Sequence, residues 1–244
     1  MKEIDKNDVD ISQLFKWSKE VPLNDPFTGI VMSVFIRLVG DADMNRAKAF
    51  GYRKSADLRK KLKTQDSDER VIFLAELDAF TEEEAIRQAI FLLELPEYYQ
   101  EALKVIDLKE PKEPKSDAPL EEQENYQLAV DEYPSRYNKE LERIMLEIRE
   151  ERREKLLEMS KESLYTLYEN TVINRLCEEE LKDEYYKMCV FLGTYMDDKF
   201  TAKAFNNYAD FENIHPQLQV TLKQEYQNLE LGTDLLKKLQ GVTG

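Results

Sequence analysis

The chain predicts a mainly α fold with a small N-terminal β-hairpin: a multi-helix bundle with a long amphipathic helix. Three observations predict it. Only 7 glycines occur in 244 residues, while Glu, Lys, Leu and Ala recur throughout, so helix formers dominate and the residues of tight hairpins and phosphate loops are scarce. One stretch, EVPLNDPFTGIVMSVFIRLV, has the β-branched, turn-punctuated pattern of two paired strands. Residues 138–176 keep apolar side chains at mainly helical spacing, among them Leu141, Ile144, Met145, Ile148, Leu156, Met159 and Leu167.

In chain order, ISQLFKWS is a short apolar lead-in carrying Trp17. The hairpin follows, turning at NDPFTG. A lone hairpin is not stable in water, so a helix, or a strand of another chain, must cover one of its faces. Gly40 ends the second strand, and Asp41 or Asp43 is placed to cap a helix that reaches about Lys63. Ser67 and Asp68 start another helix, and Thr81-Glu-Glu-Glu84 has the form of a capping box that launches AIRQAIFLLEL. Pro96 interrupts that helix or opens the next, PEYYQEALKVIDL.

Residues 109–120 contain KEPKEPKSDAP, with three prolines and almost no apolar side chain, and read as a linker between residues 1–108 and 121–244. After Pro134 comes the long amphipathic helix or helix pair, in which Arg152 falls where the stripe calls for an apolar residue. DEYYKMCVFLGTYMDD reads as a helix or a strand, with Tyr185, Tyr186 and Met188 as core. Two or three closing helices follow, with Pro216 at a first helical turn.

Hydrophobic residues make up 42% and aromatics 10%, which excludes a wholly disordered chain. The start, MKEIDKNDVD, has no apolar signal region and no run is long enough to span a bilayer, so a soluble cytoplasmic protein without membrane contact is expected. Cys177 and Cys189 form no CxxC pair, and reduced buried thiols are expected. The net charge of −15 argues against a general affinity for polyanions. It is unevenly placed: residues 1–64 carry 13 Lys and Arg against 9 Asp and Glu. The N-terminal part can therefore dock on an acidic surface, either the chain's own C-terminal helices or those of another copy.

Candidate chemistry is sparse. Asp41, Asp43 and Asn45 alternate like calcium ligands, but the sixth and twelfth loop positions hold Arg46 and Tyr52 instead of Gly and Glu, so helix capping is the expected role. His215 stands beside Pro216 without a nucleophile motif, and GxGxxG and GxxxxGK[ST] are absent; no catalytic residue, cofactor or metal is assigned. Between Arg46 and Lys63 lie eight cations and one acid, with Arg46, Arg53 and Lys60 repeating every seven residues along one helix side. Arg46, Arg53, Lys60 and Lys61 are the candidate partner-binding residues. Their surface could meet protein, face solvent, or meet nucleic acid with Phe50 or Tyr52 for stacking. A hairpin with an exposed edge, polarised charge and long helices together suit a protein that binds protein.

The order of Trp17, a hairpin ending VFIRLVGDAD, and then NRAKAFGYRKSADLRKKLKTQDSDER resembles tail-assembly chaperones and related small structural proteins of long-tailed bacteriophages, best over residues 12–75. FNNYADFENIHPQLQVTLKQEYQNLE is loosely similar to the end of such proteins. The resemblance implies a non-enzymatic protein that coats the helical tape-measure protein and delivers it to tail assembly. A virion or connector protein, a homo-oligomer, or a nucleic-acid-associated protein using the basic helix are the alternatives.

Overall fold

The computed structural model describes residues 18–24, 29, 31–77, 82–115 and 118–240, with side chains to residue 231. Trp17 and most of its lead-in, turn residues 25–28, and Thr81 lie outside the described residues. Helix accounts for 73% of the chain, beside one small three-stranded antiparallel sheet, so the mainly α class with an N-terminal hairpin holds. The elements are β1 (Ser18–Asn24), β2 (Val31–Arg37), α1 (Asp41–Lys63), α2 (Asp68–Leu77), α3 (Glu83–Leu93), α4 (Leu95–Val105), α5 (Leu120–Glu158), α6 (Lys161–Gly193), β3 (Thr194–Tyr195), α7 (Tyr208–Glu212) and α8 (Pro216–Gln240). None of the described helices is long and apolar enough to cross a membrane.

The chain divides into two compact units: residues 1–63 with 176–244, and residues 64–175. The boundaries therefore do not follow the proline-rich segment, which falls within the second unit. The reason is that α4 and α5, on either side of it, share a core: Ala102, Leu141 and Ile144 are buried together, with Leu103, Ile106, Tyr137 and Ile148 packed against them. Tyr133 Oη also donates to Leu108 O at 3.1 Å. A segment whose two flanking helices pack on each other is a return loop.

In the first unit, β1 and β2 pair with Val21 opposite Val34 and Lys19 opposite Ile36. Val21, Leu23, Val34 and Ile36 all point inward and are buried. Burying each such side chain contributes roughly 1.5–3 kcal/mol. The cover that a hairpin requires comes from this chain: α8 lies on both strands with Leu222 and Tyr226 buried in the same core, and β3 adds a third strand to β2. Tyr226 Oη accepts a bond from Val39 N at 3.2 Å, which ties α8 to the end of β2. β1 is the outer strand among the described residues, but Pro22 lacks an N–H, and Lys19 and Glu20 are exposed. These are features that blunt a sheet edge against strand addition, so the edge is a poor docking surface.

Helix starts follow local chemistry. Met44 N bonds to Gly40 O at 2.9 Å, so α1 begins beyond Gly40, and Asp41 and Asp43 sit within its first turn instead of capping it. There they complement the positive end of the helix dipole. Ser67 Oγ accepts from Arg70 N at 3.1 Å and caps α2 as expected. α3 starts at Glu83 after Glu82, which makes no side-chain cap bond. Pro96 lies in the first turn of α4. The long helix starts at Leu120, well before Pro134, which α5 carries in its interior. It ends at Glu158, and Ser160 Oγ accepts from Ser163 N at 3.3 Å to open α6, so residues 138–176 form a helix pair. The stretch from Asp183 is helix to Gly193 and strand at Thr194–Tyr195, which realises both predicted alternatives.

Residues 196–203 form a tight loop around Asp197. Its Oδ1 accepts from Lys199 N (2.9 Å) and Thr201 N (3.0 Å), and its Oδ2 from Ala202 N (2.6 Å) and Thr201 Oγ1 (3.0 Å). These donors, the Thr201 amide foremost, hold the Asp197 carboxyl below its usual range. Within the loop Phe200 has φ +57°, left-handed for a bulky residue, a cost of about 1–3 kcal/mol.

Candidate functional site

The sequence-derived surface is present on α1. Arg46, Arg53, Lys60 and Lys61 are all exposed, on the side of the helix away from buried Ala47, Gly51 and Leu62. The guanidinium of Arg53 lies 5.7 Å from the Phe50 ring centroid. Lys60 and Lys61 already have polar or ring partners. Asp41 and Asp43 stand two residues apart on a helix and so face different directions, which defeats the loop-like ligand spacing.

The inner face of α1 carries small side chains. Ala47, Gly51 and Ser55 recur every four residues and let α1 approach the second half of α6 closely, with Ser55 Oγ donating to Cys177 O at 2.7 Å. That half of α6 carries the acidic run Glu178, Glu179, Glu180, Asp183 and Glu184. Basic α1 thus packs on an acidic helix of its own chain through this small-residue face, with Arg46, Arg53 and Lys60 directed away from the contact.

Asp183 and Glu184 anchor a network. Lys187 bonds Asp183 at 2.7 Å and Glu184 at 2.8 Å, Lys223 of α8 bonds Asp183 at 2.5 Å, and Tyr208 Oη donates to Glu184 at 3.2 Å. Burial pushes the Asp183 carboxyl up, but the two lysines outweigh it and the net shift is downward. The stability that Asp183 contributes is therefore complete above its ordinary value of 3.8 and is lost as pH falls through the depressed one. Glu180 is the opposite case, raised by burial and by Glu184. Its charged form opposes folding at neutral pH. Glu180→Gln is expected to raise the thermal midpoint at pH 7, with the gain shrinking as pH falls toward 4.5; a lower midpoint at pH 7, measured by circular dichroism, would contradict this.

The remaining single-residue candidates are structural. Cys177 and Cys189 are free and buried, and burial pushes the Cys189 thiol up to about 11, so neither is an activated nucleophile. His215 Nδ1 accepts from Gln217 N at 3.2 Å and serves at the start of α8. Met188 is buried, and Tyr185 and Tyr186 pack against the same core. Among the described residues no group of three or more His, Cys, Asp or Glu is arranged to hold a metal ion.

A surface that the sequence reading missed lies in the second unit. α3 and α5 enclose a groove of about 500 Å³ lined by Phe91, Leu92, Leu146, Leu156 and Leu157, with Arg87, Arg149 and Arg153 among its polar residues. Leu92, Leu146 and Leu157 are each more than half exposed, at 65%, 56% and 55%. Glu84 and Glu150 also line it, but Arg87 pairs with Glu83 and Glu84, and Arg153 with Glu150. Arg149 lies 4.7 Å from the Phe91 ring centroid and pairs with no carboxylate among the described residues.

The groove is braced from below. Arg152 forks onto Glu94 with bonds of 2.7 and 2.5 Å, and Tyr98 Oη donates to the same carboxylate at 2.6 Å, fixing the α3–α4 junction against α5. This is why a charge stands in the apolar stripe at Arg152, and that break in the pattern was the available signal. Comparison with protein-family models, with curated proteins and with solved structures finds no match to this chain.

Proposed function

We propose that the protein is a non-enzymatic assembly factor that holds an amphipathic helix of a partner protein in the groove between α3 and α5. The observation that carries the reading is the groove: three leucines more than half exposed around a recess of about 500 Å³, beside an arginine with no carboxylate partner among the described residues. Contiguous exposed apolar surface of this kind marks interaction sites, and a helix laid in a groove supplies anchors at i, i+3, i+4 and i+7. The occupant that fits has a leucine-type stripe flanked by acidic residues, since Arg149 offers an unpaired positive charge at the rim.

The resemblance over residues 12–75 narrows this to a phage tail-assembly chaperone, with the long helical tape-measure protein as its client. Arg46 and Arg53 on α1 add a second contact for an acidic stretch of that client. The test is co-expression with a long helical protein encoded beside this one, followed by size-exclusion chromatography with light scattering. A joint peak is expected for the native protein. Leu92→Asp with Leu146→Asp is expected to abolish that peak while leaving the thermal midpoint within about 2 °C, because both side chains are already in water. An undiminished complex from the double variant would overturn the groove as the binding site.

A further inference from the structure

At the sheet end of the first unit, two cations converge on one phenol. Arg37 Nη2 donates to Tyr195 Oη at 2.9 Å and Lys203 Nζ donates to the same oxygen at 2.8 Å. Lys203 Nζ also donates to Leu192 O. The Arg37 guanidinium stands 4.8 Å from the Tyr195 ring centroid and 5.3 Å from that of Phe200, and the two rings meet edge to face at 5.4 Å. Tyr195 is only 4% exposed, whereas Arg37 and Lys203 are exposed.

The charge arrangement is unusual for a chain with 50 acidic residues. Among the described residues neither Arg37 nor Lys203 lies within ion-pair distance of a carboxylate. The nearest acid along the loop, Asp197, is occupied by four loop donors, and the exposed Asp198 pairs with neither cation. Since the Tyr195 oxygen accepts from both cations, its own O–H is a further donor at the same point. Guanidinium, ammonium and phenol thus gather in one place with no carboxylate in ion-pair contact with either cation among the described residues, and the loop that delivers Lys203 holds Phe200 in a left-handed conformation. Backbone strain retained next to clustered charge is a mark of a functional position.

We propose that Arg37, Lys203 and Tyr195 form a binding site for a phosphoryl group, whose oxygens accept from all three. Arginine's planar fork and lysine's point charge are both suited to phosphate, and charge-assisted bonds are the strong ones. The site is independent of the groove in the other unit.

The test is titration of the full chain with inorganic phosphate at fixed ionic strength, chloride making up the balance, read by amide NMR shifts of Thr201, Ala202 and Lys203 and by the thermal midpoint. Saturable shifts and a midpoint raised above that in chloride alone are expected. Arg37→Gln and Lys203→Gln should each weaken phosphate roughly tenfold. Tyr195→Phe keeps the ring and should weaken it less. Circular dichroism of each variant without phosphate establishes that it is folded, and Arg37→Lys, which keeps the charge, should retain most of the affinity. Shifts that follow ionic strength alone, or equal phosphate affinity in the native chain and both Gln variants, would overturn the site. Binding of a phosphate ester such as phosphoserine more tightly than of free phosphate would assign the source to a modified chain; the reverse would assign it to the free ion.

Discussion

Phe211→Ala is expected to cost about 3–5 kcal/mol, the usual loss for an aromatic removed from a core, and to lower the thermal midpoint by roughly 10 °C. Phe211 is 0% exposed and its ring meets Phe205 at 5.3 Å and Tyr208 at 5.9 Å. It is the buried residue of α7, a five-residue helix far too short to form alone. The capping box of Asn207 and Asp210 sets where α7 starts, but docking of Phe211 among Leu222, Tyr226 and the hairpin residues is what holds it there. Asn207→Ala is therefore expected to cost only about 1 kcal/mol. Urea denaturation of both variants decides the matter: a loss for Phe211→Ala no larger than that for Asn207→Ala would mean that capping, and not the core, keeps α7 in place.

Gly193→Ala should destabilise the first unit by about 3 kcal/mol, although alanine is the better helix former. A Cβ at this last residue of α6 would stand 2.5 Å from Arg37 O and 3.4 Å from Tyr226 Cε2. The obstacle is backbone, and it cannot move away, because the next residue, Thr194, pairs with Ile36 in the sheet. Gly51→Ala meets the same problem at 2.7 Å from Leu181 O, in the seam between α1 and α6. Helix propensity alone predicts a gain of roughly 0.5–1 kcal/mol at either position, so the sign of the change separates the two accounts. Gly40, with nothing within 4 Å of its would-be Cβ, is the control and should tolerate alanine with little change in midpoint. A stability gain at Gly193 or Gly51 would show that the close approach is not there.

Much of the fold was legible because its signals are local. The alternation in VMSVFIR, the Ser67 cap, and Pro96 and Pro216 at first turns each act within a few residues of chain, and each lies where those rules put it. The misplaced features depend on distant partners. Pro134 reads as a boundary because it removes one backbone bond, yet α5 runs through it. The segment KEPKEPKSDAP reads as a linker because nothing in it packs, while the helices flanking it pack on each other across the chain reversal.

The candidate sites divide in the same way. The basic stripe was visible because a seven-residue spacing of charges is a one-dimensional pattern, and its exposure follows from the helix alone. The groove and the Arg37–Tyr195–Lys203 cluster were not visible, since Phe91 meets Arg149, and Arg37 and Lys203 meet at the Tyr195 hydroxyl, only after the chain has folded. Composition and periodicity determined that this chain is mainly helical, where those helices with a local start signal begin, and that its N-terminal part is basic against an acidic remainder. Tertiary structure decided which faces are covered, that the covering helix and third strand come from the same chain, and which charges are left without a counter-charge. Hydrogen bonding and helical periodicity act over a few residues and can be read from order; burial and charge pairing act through space, where residues 158 apart in sequence, as Arg37 and Tyr195 are, become neighbours as readily as residues four apart.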